Sequence, residues 1–325
     1  MNSNARIDVH HHILPPRYVE TVGVGRIGSQ GSSGRVPPWS LDEALSLMDE
    51  SGICMAVTSV SAPGVATLAT DAAASLARWC NEFAAGMVRD RPARFGMFAC
   101  LPVQSIDAAL AETAHAYDAL NADGVGLLSN YDGRYLGDEA FRPLYEELNR
   151  RAAVVFVHPT APAHSVSVAG LSASTLEFPF DTTRTIASLV FGGITADYPD
   201  IRWIFSHAGG AMPYLAGRVE WLARNNPALR ERIPEGFAKA LAPLYFECAL
   251  SANRVHFAAL RELLGDSQLV FGTDYPFGPA GQMAATVAGL AGIGLEPGTL
   301  HAVQSGNALR LFPRLRALGG PPAEP

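Results

Sequence analysis

The sequence predicts an α/β fold in which eight parallel strands close into a (β/α)8 TIM barrel, and three observations predict it. Eight short apolar runs recur along the 325 residues, stretches with helical periodicity separate them, and reactive polar residues stand where several of the runs end. Apolar character sustained over roughly four to eight residues suits strands buried on both faces of a parallel sheet. Strands alternating with helices imply parallel pairing, and eight such units imply a closed barrel. An open doubly wound sheet is the competing arrangement. It lacks support, because no Gly-rich dinucleotide fingerprint follows the first run and Gly209-Gly210 alone is a weak signal.

In order, the predicted strands are Arg6 to His12, Met55 to Val60, Phe95 to Leu101, Gly124 to Ser129, Val154 to His158, Trp203 to His207, Tyr245 to Leu250 and Leu269 to Asp274. The intervening helices are expected at Leu41 to Ser51, Ala72 to Met87, Ile106 to Asn121 and Asp138 to Arg151. Four more follow at Thr182 to Asp197, Ala211 to Arg224, Ala252 to Leu264 and Gly281 to Leu290. Gly23 to Pro38, rich in Gly, Ser and Pro, reads as a mobile loop inserted after the first strand. One domain over residues 1–318 is expected, with a Pro-rich flexible tail at 319–325.

Composition narrows the function. A hydrophobic content of 48% with 17% charged residues describes a well-buried globular chain. The net charge of −7 and the absence of a Lys/Arg run argue against a nucleic-acid partner. No apolar run is long enough for a bilayer and no signal-like segment opens the chain, so a cytoplasmic protein without a membrane partner is expected. Cys54, Cys80, Cys100 and Cys248 form no C-x-x-C pair and read as small buried residues in a reducing compartment. Lys239 is the only lysine, so any mechanism needing a lysine must use it.

Asp8-Val9-His10-His11-His12 carries the strongest chemical signal. Alternate residues of a strand share a face, so His10 and His12 point one way, His11 the other, and Asp8 lies one step deeper on the His10 face. Two imidazoles one pleat apart can reach one metal ion. A residual tag is the bland alternative, poorly matched by so short a cluster directly after Ile7-Asp8-Val9. His158, His207 and Asp274 end the fifth, sixth and eighth runs, and in a barrel those ends form the active-site mouth. Singly, each histidine is an ordinary rim residue and the aspartate a turn former. Together they converge, and three histidines with one aspartate make a sensible zinc site with room for water or substrate.

With these residues in view, the chain resembles the amidohydrolase superfamily. The likeness is to the branch of aminocarboxymuconate-semialdehyde decarboxylase and the 6-methylsalicylate or salicylate-type aromatic acid decarboxylases. It runs from Asp8-Val9-His10-His11-His12 to Gly306-Asn307-Ala308-Leu309-Arg310-Leu311-Phe312-Pro313. The blocks Phe141-Arg142-Pro143-Leu144-Tyr145, Val157-His158-Pro159-Thr160, Phe180-Asp181-Thr182-Thr183-Arg184, Ser206-His207-Ala208-Gly209-Gly210 and Gly272-Thr273-Asp274-Tyr275-Pro276-Phe277 carry it most specifically. The resemblance implies metal ligation by His10, His12, His158 and Asp274, with His207 beside the metal as a catalytic or substrate-contacting residue. It also implies a homodimer. Binuclear members of the superfamily use a carboxylated lysine on the fourth strand, whereas this strand ends Leu128-Ser129-Asn130, so one divalent ion is expected, zinc first and manganese second.

The activity so implied is non-oxidative decarboxylation of a small hydroxylated aromatic acid, with the metal holding the carboxylate, the ortho hydroxyl or both. His207 or Asp274 would deliver the proton to the ring carbon. Arg184 is the expected anion partner at a helix start, with a surface ion pair as its plain alternative, and Arg218 and Arg224 are candidates to reach across a dimer interface. Phe178, Phe180, Trp39, Tyr275 and Phe277 are expected to wall the aromatic ring, unless they simply fill the core. A metal-dependent hydrolase of a small lactone or amide is the first rival, a hydratase of an unsaturated dicarboxylate a weaker one. A non-catalytic metal protein predicts a closed site without an adjacent His207. Of the other histidines, His115 and His301 read as helical surface or packing residues, His164 as a loop residue bordering the pocket, and His256 as distant from the strand ends.

Overall fold

A computed structural model describes residues 5–162, 165, 168–278 and 281–317; His164 and the tail expected at 319–325 lie outside the described residues. Eight strands form the barrel: β1 Arg6–Ile13, β2 Ile53–Val60, β3 Phe95–Cys100, β4 Gly124–Leu128, β5 Val154–His158, β6 Arg202–Phe205, β7 Tyr245–Glu247 and β8 Leu269–Val270. Each pairs in parallel with the next in chain order. Val9 N donates to Phe271 O at 3.0 Å and Asp274 N to His10 O at 2.8 Å, which joins the last strand back to the first. Strand burial explains why the sequence runs are continuous rather than alternating: β1, β3 and β5 are buried at every position.

The helices that ring the barrel are set by ordinary end signals. Helix α3 is Leu41–Glu50, whose N-cap Ser40 accepts from Glu43 N; α4 is Thr70–Asp90, and α5 is Ile106–Asp118, capped by Ser105 onto Ala108 N. Helix α6 (Arg142–Arg150) follows a 3-10 turn, α9 is Met212–Arg224, α12 is Arg254–Leu264 and α13 is Gln282–Gly292. Three departures from the sequence reading bear on the site. The segment read as a loop from Gly23 to Pro38 opens with a helix, α2 Val24–Gly28, directly after α1 Pro16–Val22, because Tyr18, Val22 and Ile27 bury into an apolar satellite cluster. Helix α7 runs Ala173–Phe191, starting well before Thr182, since Pro179 is accommodated inside it and α8 (Ile194–Asp197) is separate. The regular strands β6, β7 and β8 stop short of His207, Leu250 and Asp274, each of which takes a left-handed backbone (φ +54, +55 and +62°).

Two apolar compartments hold the barrel together. One lies between sheet and helices, around Phe95, Tyr145, Trp203, Phe205 and Phe246. The other fills the barrel interior, where Ile7, Val9, Phe98, Phe156 and Ile204 meet Ala308, Leu309, Phe312 and Leu315 of the C-terminal helices. Phe98 lies 5.8 Å from Phe312, centroid to centroid, so the C-terminal segment closes the end of the barrel opposite the catalytic mouth. The floor of the site is thus dry and rigid.

Candidate metal centre

β1 delivers its histidines through a bulge. Asp8 is level with Ala56 of β2 but His11 is level with Thr58, so one extra residue lies between them on β1. Val9 and His10 therefore both turn inward, Val9 into the interior cluster and His10 against the Phe156 ring at 4.9 Å. This corrects the expectation that Asp8 shares the His10 face. Asp8 instead faces outward with His11, accepting from His11 Nδ1 at 3.0 Å, Thr273 Oγ1 at 2.6 Å and Thr273 N at 3.1 Å. It fastens β1 to the segment that carries Asp274. His11 stays off the cluster, stacked near Tyr275 at 4.7 Å.

His10, His12, His158 and Asp274 converge, with one donor atom from each lying within 4.8 Å of the others and all four residues buried. His10 Nε2 and His12 Nε2 are 2.9 Å apart, and each is 3.2 Å from Asp274 Oδ1; His158 Nε2 is 3.9 Å from the same oxygen. Asp274 Oδ1 is buried without a hydrogen-bond partner. Three imidazole nitrogens crowding one orphaned carboxylate oxygen is the donor set of a single divalent ion, and these residues fit one.

Each of the three histidines is held from behind. His10 Nδ1 donates to Glu247 Oε1 at 2.8 Å, His12 Nδ1 lies 2.9 Å from Ser59 Oγ, and His158 Nδ1 donates to Pro159 O at 2.7 Å. With Nδ1 so engaged, the Nε2 of each ring faces the centre. Burial opposes a charge on His10, but Glu247 and Asp274 outweigh it and hold the imidazole up at about 10. His12 and His158 lack such compensation: burial drives both down, His158 to about 4. Burial also pushes the Asp274 carboxyl up, yet the three imidazoles overcome it and keep the group well below the usual carboxylate range.

Glu247 escaped the sequence reading. It is fully buried and its oxygens accept from His10, from His207 N at 2.5 Å and from Ala249 N at 2.5 Å, so it orients a ligand and the neighbouring histidine at once. Its signal was a lone acid inside the apolar run Tyr245-Phe246-Glu247-Cys248, a placement that burial makes costly unless the carboxylate is used. Gly272 makes room for it: a Cβ there would overlap Glu247 Oε2 and press on His10 Cβ.

His207 sits in a turn where residues 207–210 all have positive φ, and Gly210 packs so closely on Pro179 of α7 that a side chain would collide with its carbonyl. The turn places the His207 ring 5.1 Å from His10, with Nδ1 donating to Ala249 O at 3.2 Å. A cavity of about 390 Å³ opens in front, bordered by His158, His207 and Asp274. Phe178 stands 5.9 Å from His158 and Phe277 5.6 Å from His12, so two expected aromatic residues flank the ligands and line the cavity. A larger cavity of about 790 Å³ shares Phe277 with it and is lined by none of His10, His12, His158 and Asp274.

The remaining expected contacts fall elsewhere. Phe180 lies two residues beyond Phe178 on the same helix, which turns it to the opposite side, and it is 44% exposed. Arg184 is not at a helix start but midway along α7, exposed and beside the Tyr135 hydroxyl, because the helix begins at Ala173. Trp39 packs against Phe83 at 6.1 Å, and Tyr275 borders the larger cavity. His256, expected far from the strand ends, borders the metal-facing cavity instead, as α12 starts directly above the end of β7. Among the described residues no Lys or Arg lines that cavity. Arg224 pairs with Glu220 on α9.

Comparison with known proteins agrees with this geometry. The family described as amidohydrolase matches residues 7–314. Decarboxylase yanB of Aspergillus niger is 37% identical over 327 residues, covering 96% of this chain and 88% of its own. The 6-methylsalicylic acid decarboxylase of Penicillium expansum is 37% identical over 320 residues, covering 97% of this chain and 98% of its own. Among solved structures, the 5-carboxyvanillate decarboxylase of Novosphingobium aromaticivorans, complexed with manganese and 4-hydroxy-3-methoxy-5-nitrobenzoic acid, superposes with a TM-score of 0.84 at 20% identity. That match covers 95% of this chain and 96% of the other.

Proposed function

The chain belongs to the amidohydrolase family, and from that membership we propose a metal-dependent, non-oxidative decarboxylase of a small hydroxylated aromatic acid of the salicylate or 6-methylsalicylate type. The observation that carries the reading is the pairing of two things: near-full-length identity of 37% to a 6-methylsalicylic acid decarboxylase, and a three-histidine, one-aspartate cluster open to an aromatic-lined cavity.

The reaction exchanges a ring carboxylate for a proton, so the chain must hold the acid, orient the ring and move one proton. A divalent ion held by His10, His12, His158 and Asp274 would supply Lewis-acid polarisation of the substrate's carboxylate, its ortho oxygen or both. Phe178 and Phe277 clamp the ring faces beside the ligands and exclude water there. His207 and Asp274 are the proton carriers. Because His207 Nδ1 is committed to Ala249 O, its Nε2 is the atom left to serve the cavity. Asp274 rests as an anion, ready to take the substrate's hydroxyl proton and return it toward the ring carbon.

Zinc is the ion we assign from the donor set; manganese, present in the carboxyvanillate enzyme, is the competitor, and reconstitution separates them. A homodimer fits the face of α9, where Tyr214 is 87% exposed and Trp221 68% exposed close to Arg218. No helix among the described residues is long and apolar enough to cross a membrane, and four unpaired cysteines suit a cytoplasmic location.

The test is carbon dioxide release from salicylate-type acids by protein loaded with zinc or with manganese, metal content assayed on the same sample. Turnover that requires the ion and falls by ~10²–10⁴-fold in His207→Ala, with metal retained, is the expected result. A loaded protein silent on these acids but active on lactones or amides reassigns it to hydrolysis.

A further inference from the structure

Among the described residues Asp274 is the one Asp, Glu, Lys or Arg that lines the cavity, and one neutral group on the lining is held in a defined state. Asn253 caps α12: its Oδ1 accepts from Val255 N at 3.0 Å and His256 N at 3.2 Å. Those two bonds fix which end of the amide is oxygen, so the Nδ2 end faces His256 Nδ1, 2.7 Å away, and must donate to it. An imidazole whose Nδ1 accepts carries its proton on Nε2. Partial burial lowers the His256 basicity further, and the helix N-terminus beneath it disfavours a second proton. His256 is therefore a neutral N–H donor at the edge of the cavity, outside the ligand cluster.

Ser174, Thr175 and Ser251, which also line the cavity, offer uncharged hydroxyl groups. A second carboxylate on the substrate would find no cation from this chain among the described residues, while a neutral ring oxygen finds a preset donor. We propose that His256 is a specificity-determining residue, donating from Nε2 to a hydroxyl or other neutral oxygen on the part of the ring turned away from the metal ligands. The preferred substrates are then ring-oxygenated aromatic monoacids. This inference deepens the decarboxylase reading and rests on it for the pose of the ring.

The experiment uses full-length, metal-loaded protein and measures both calorimetric binding and carbon dioxide release for salicylate and the ring-hydroxylated salicylates. Wild-type protein is expected to bind at least one hydroxylated form about 5- to 10-fold tighter than salicylate, the worth of one neutral hydrogen bond. His256→Leu should erase that preference while leaving salicylate affinity within roughly two-fold, and His256→Gln, which keeps an N–H donor, should restore it. Thermal melts verify that each variant is folded. A preference that survives His256→Leu, an equal loss for salicylate, or no preference in the wild type overturns the proposal. The expected binding pattern without any carbon dioxide release sinks the decarboxylase reading and leaves the role of His256 standing.

Discussion

Replacing Glu247 by Gln is the most searching perturbation of the metal centre, because it alters no ligand. Glu247 spreads three accepted hydrogen bonds over two oxygens: His10 Nδ1 and His207 N on Oε1, Ala249 N on Oε2. Glutamine has one acceptor oxygen, so either Ala249 N or the His10–His207 pair meets an NH2 group instead. One orphaned buried donor costs about 1–3 kcal/mol. The charge matters as much. Burial opposes a proton on His10, and Glu247 is the first of the two carboxylates that overcome it, which measures how strongly it polarises this imidazole toward its other nitrogen. Loss of such a partner behind a ligating histidine costs 10- to 100-fold in metal affinity or activity. Glu247→Gln is therefore expected to fold with a lower melting temperature and to bind zinc roughly 10- to 100-fold more weakly in competition with a fluorescent chelator. Because Glu247 also fixes His207 N, turnover should fall even at saturating metal. Metal affinity within two-fold of wild type would refute the reasoning, since the charge behind His10 would then contribute nothing.

Three further outcomes follow from the same geometry. His158→Ala and Asp274→Ala should each lose metal on dialysis, and full metal content in both would dismiss the ligand set. Metal uptake near pH 7 should release about one proton per ion, from His10, because His12 and His158 are already neutral and Asp274 already ionised. His10 has a raised value in the fold, so its share of metal-free stability is complete below about 6.5, the free imidazole value, and is lost as pH climbs through about 10. Proton release measured by pH-stat should fade over that rise; release that stays constant to pH 11 contradicts the assignment. Gly272→Ala should displace Glu247 and reproduce the metal defect of Glu247→Gln, as the new Cβ occupies the carboxylate's place; unchanged affinity would show that the strand moves aside instead.

Most of the fold was legible because a barrel buries both faces of its strands, which writes eight apolar runs into the sequence. The four residues of the candidate metal site were legible as a group: a histidine or aspartate ending an apolar run is ordinary alone, and four gathered at one mouth are not. What stayed hidden depended on local backbone geometry. A single extra residue in β1 reversed the face of Asp8, an event that alternation cannot register. Starting α7 at Ala173 rotated Arg184 and Phe180 away from the cavity, and only the tolerance of Pro179 within a helix decided it.

The residues missed have a common character, and it says how this site is built. Glu247, Ser59 and Asn253 touch no metal and face no substrate in the assigned roles; each occupies the Nδ1 of a histidine, and Glu247 and Asn253 also fix the direction of that bond. His10 and His12 need Nε2 bare toward the centre, whereas His256 needs Nε2 protonated toward the cavity, and the difference lies wholly in the partner at Nδ1: an acceptor for His10, an amide donor for His256. The same side chain thus serves as ligand on one wall and as hydrogen-bond donor on another. Exchanging the partner's polarity, rather than the histidine, is what should exchange the role. Periodicity finds the histidines, but the partner at Nδ1 lies far away in sequence, Glu247 for His10 and Ser59 for His12, and becomes readable only when the barrel brings them together.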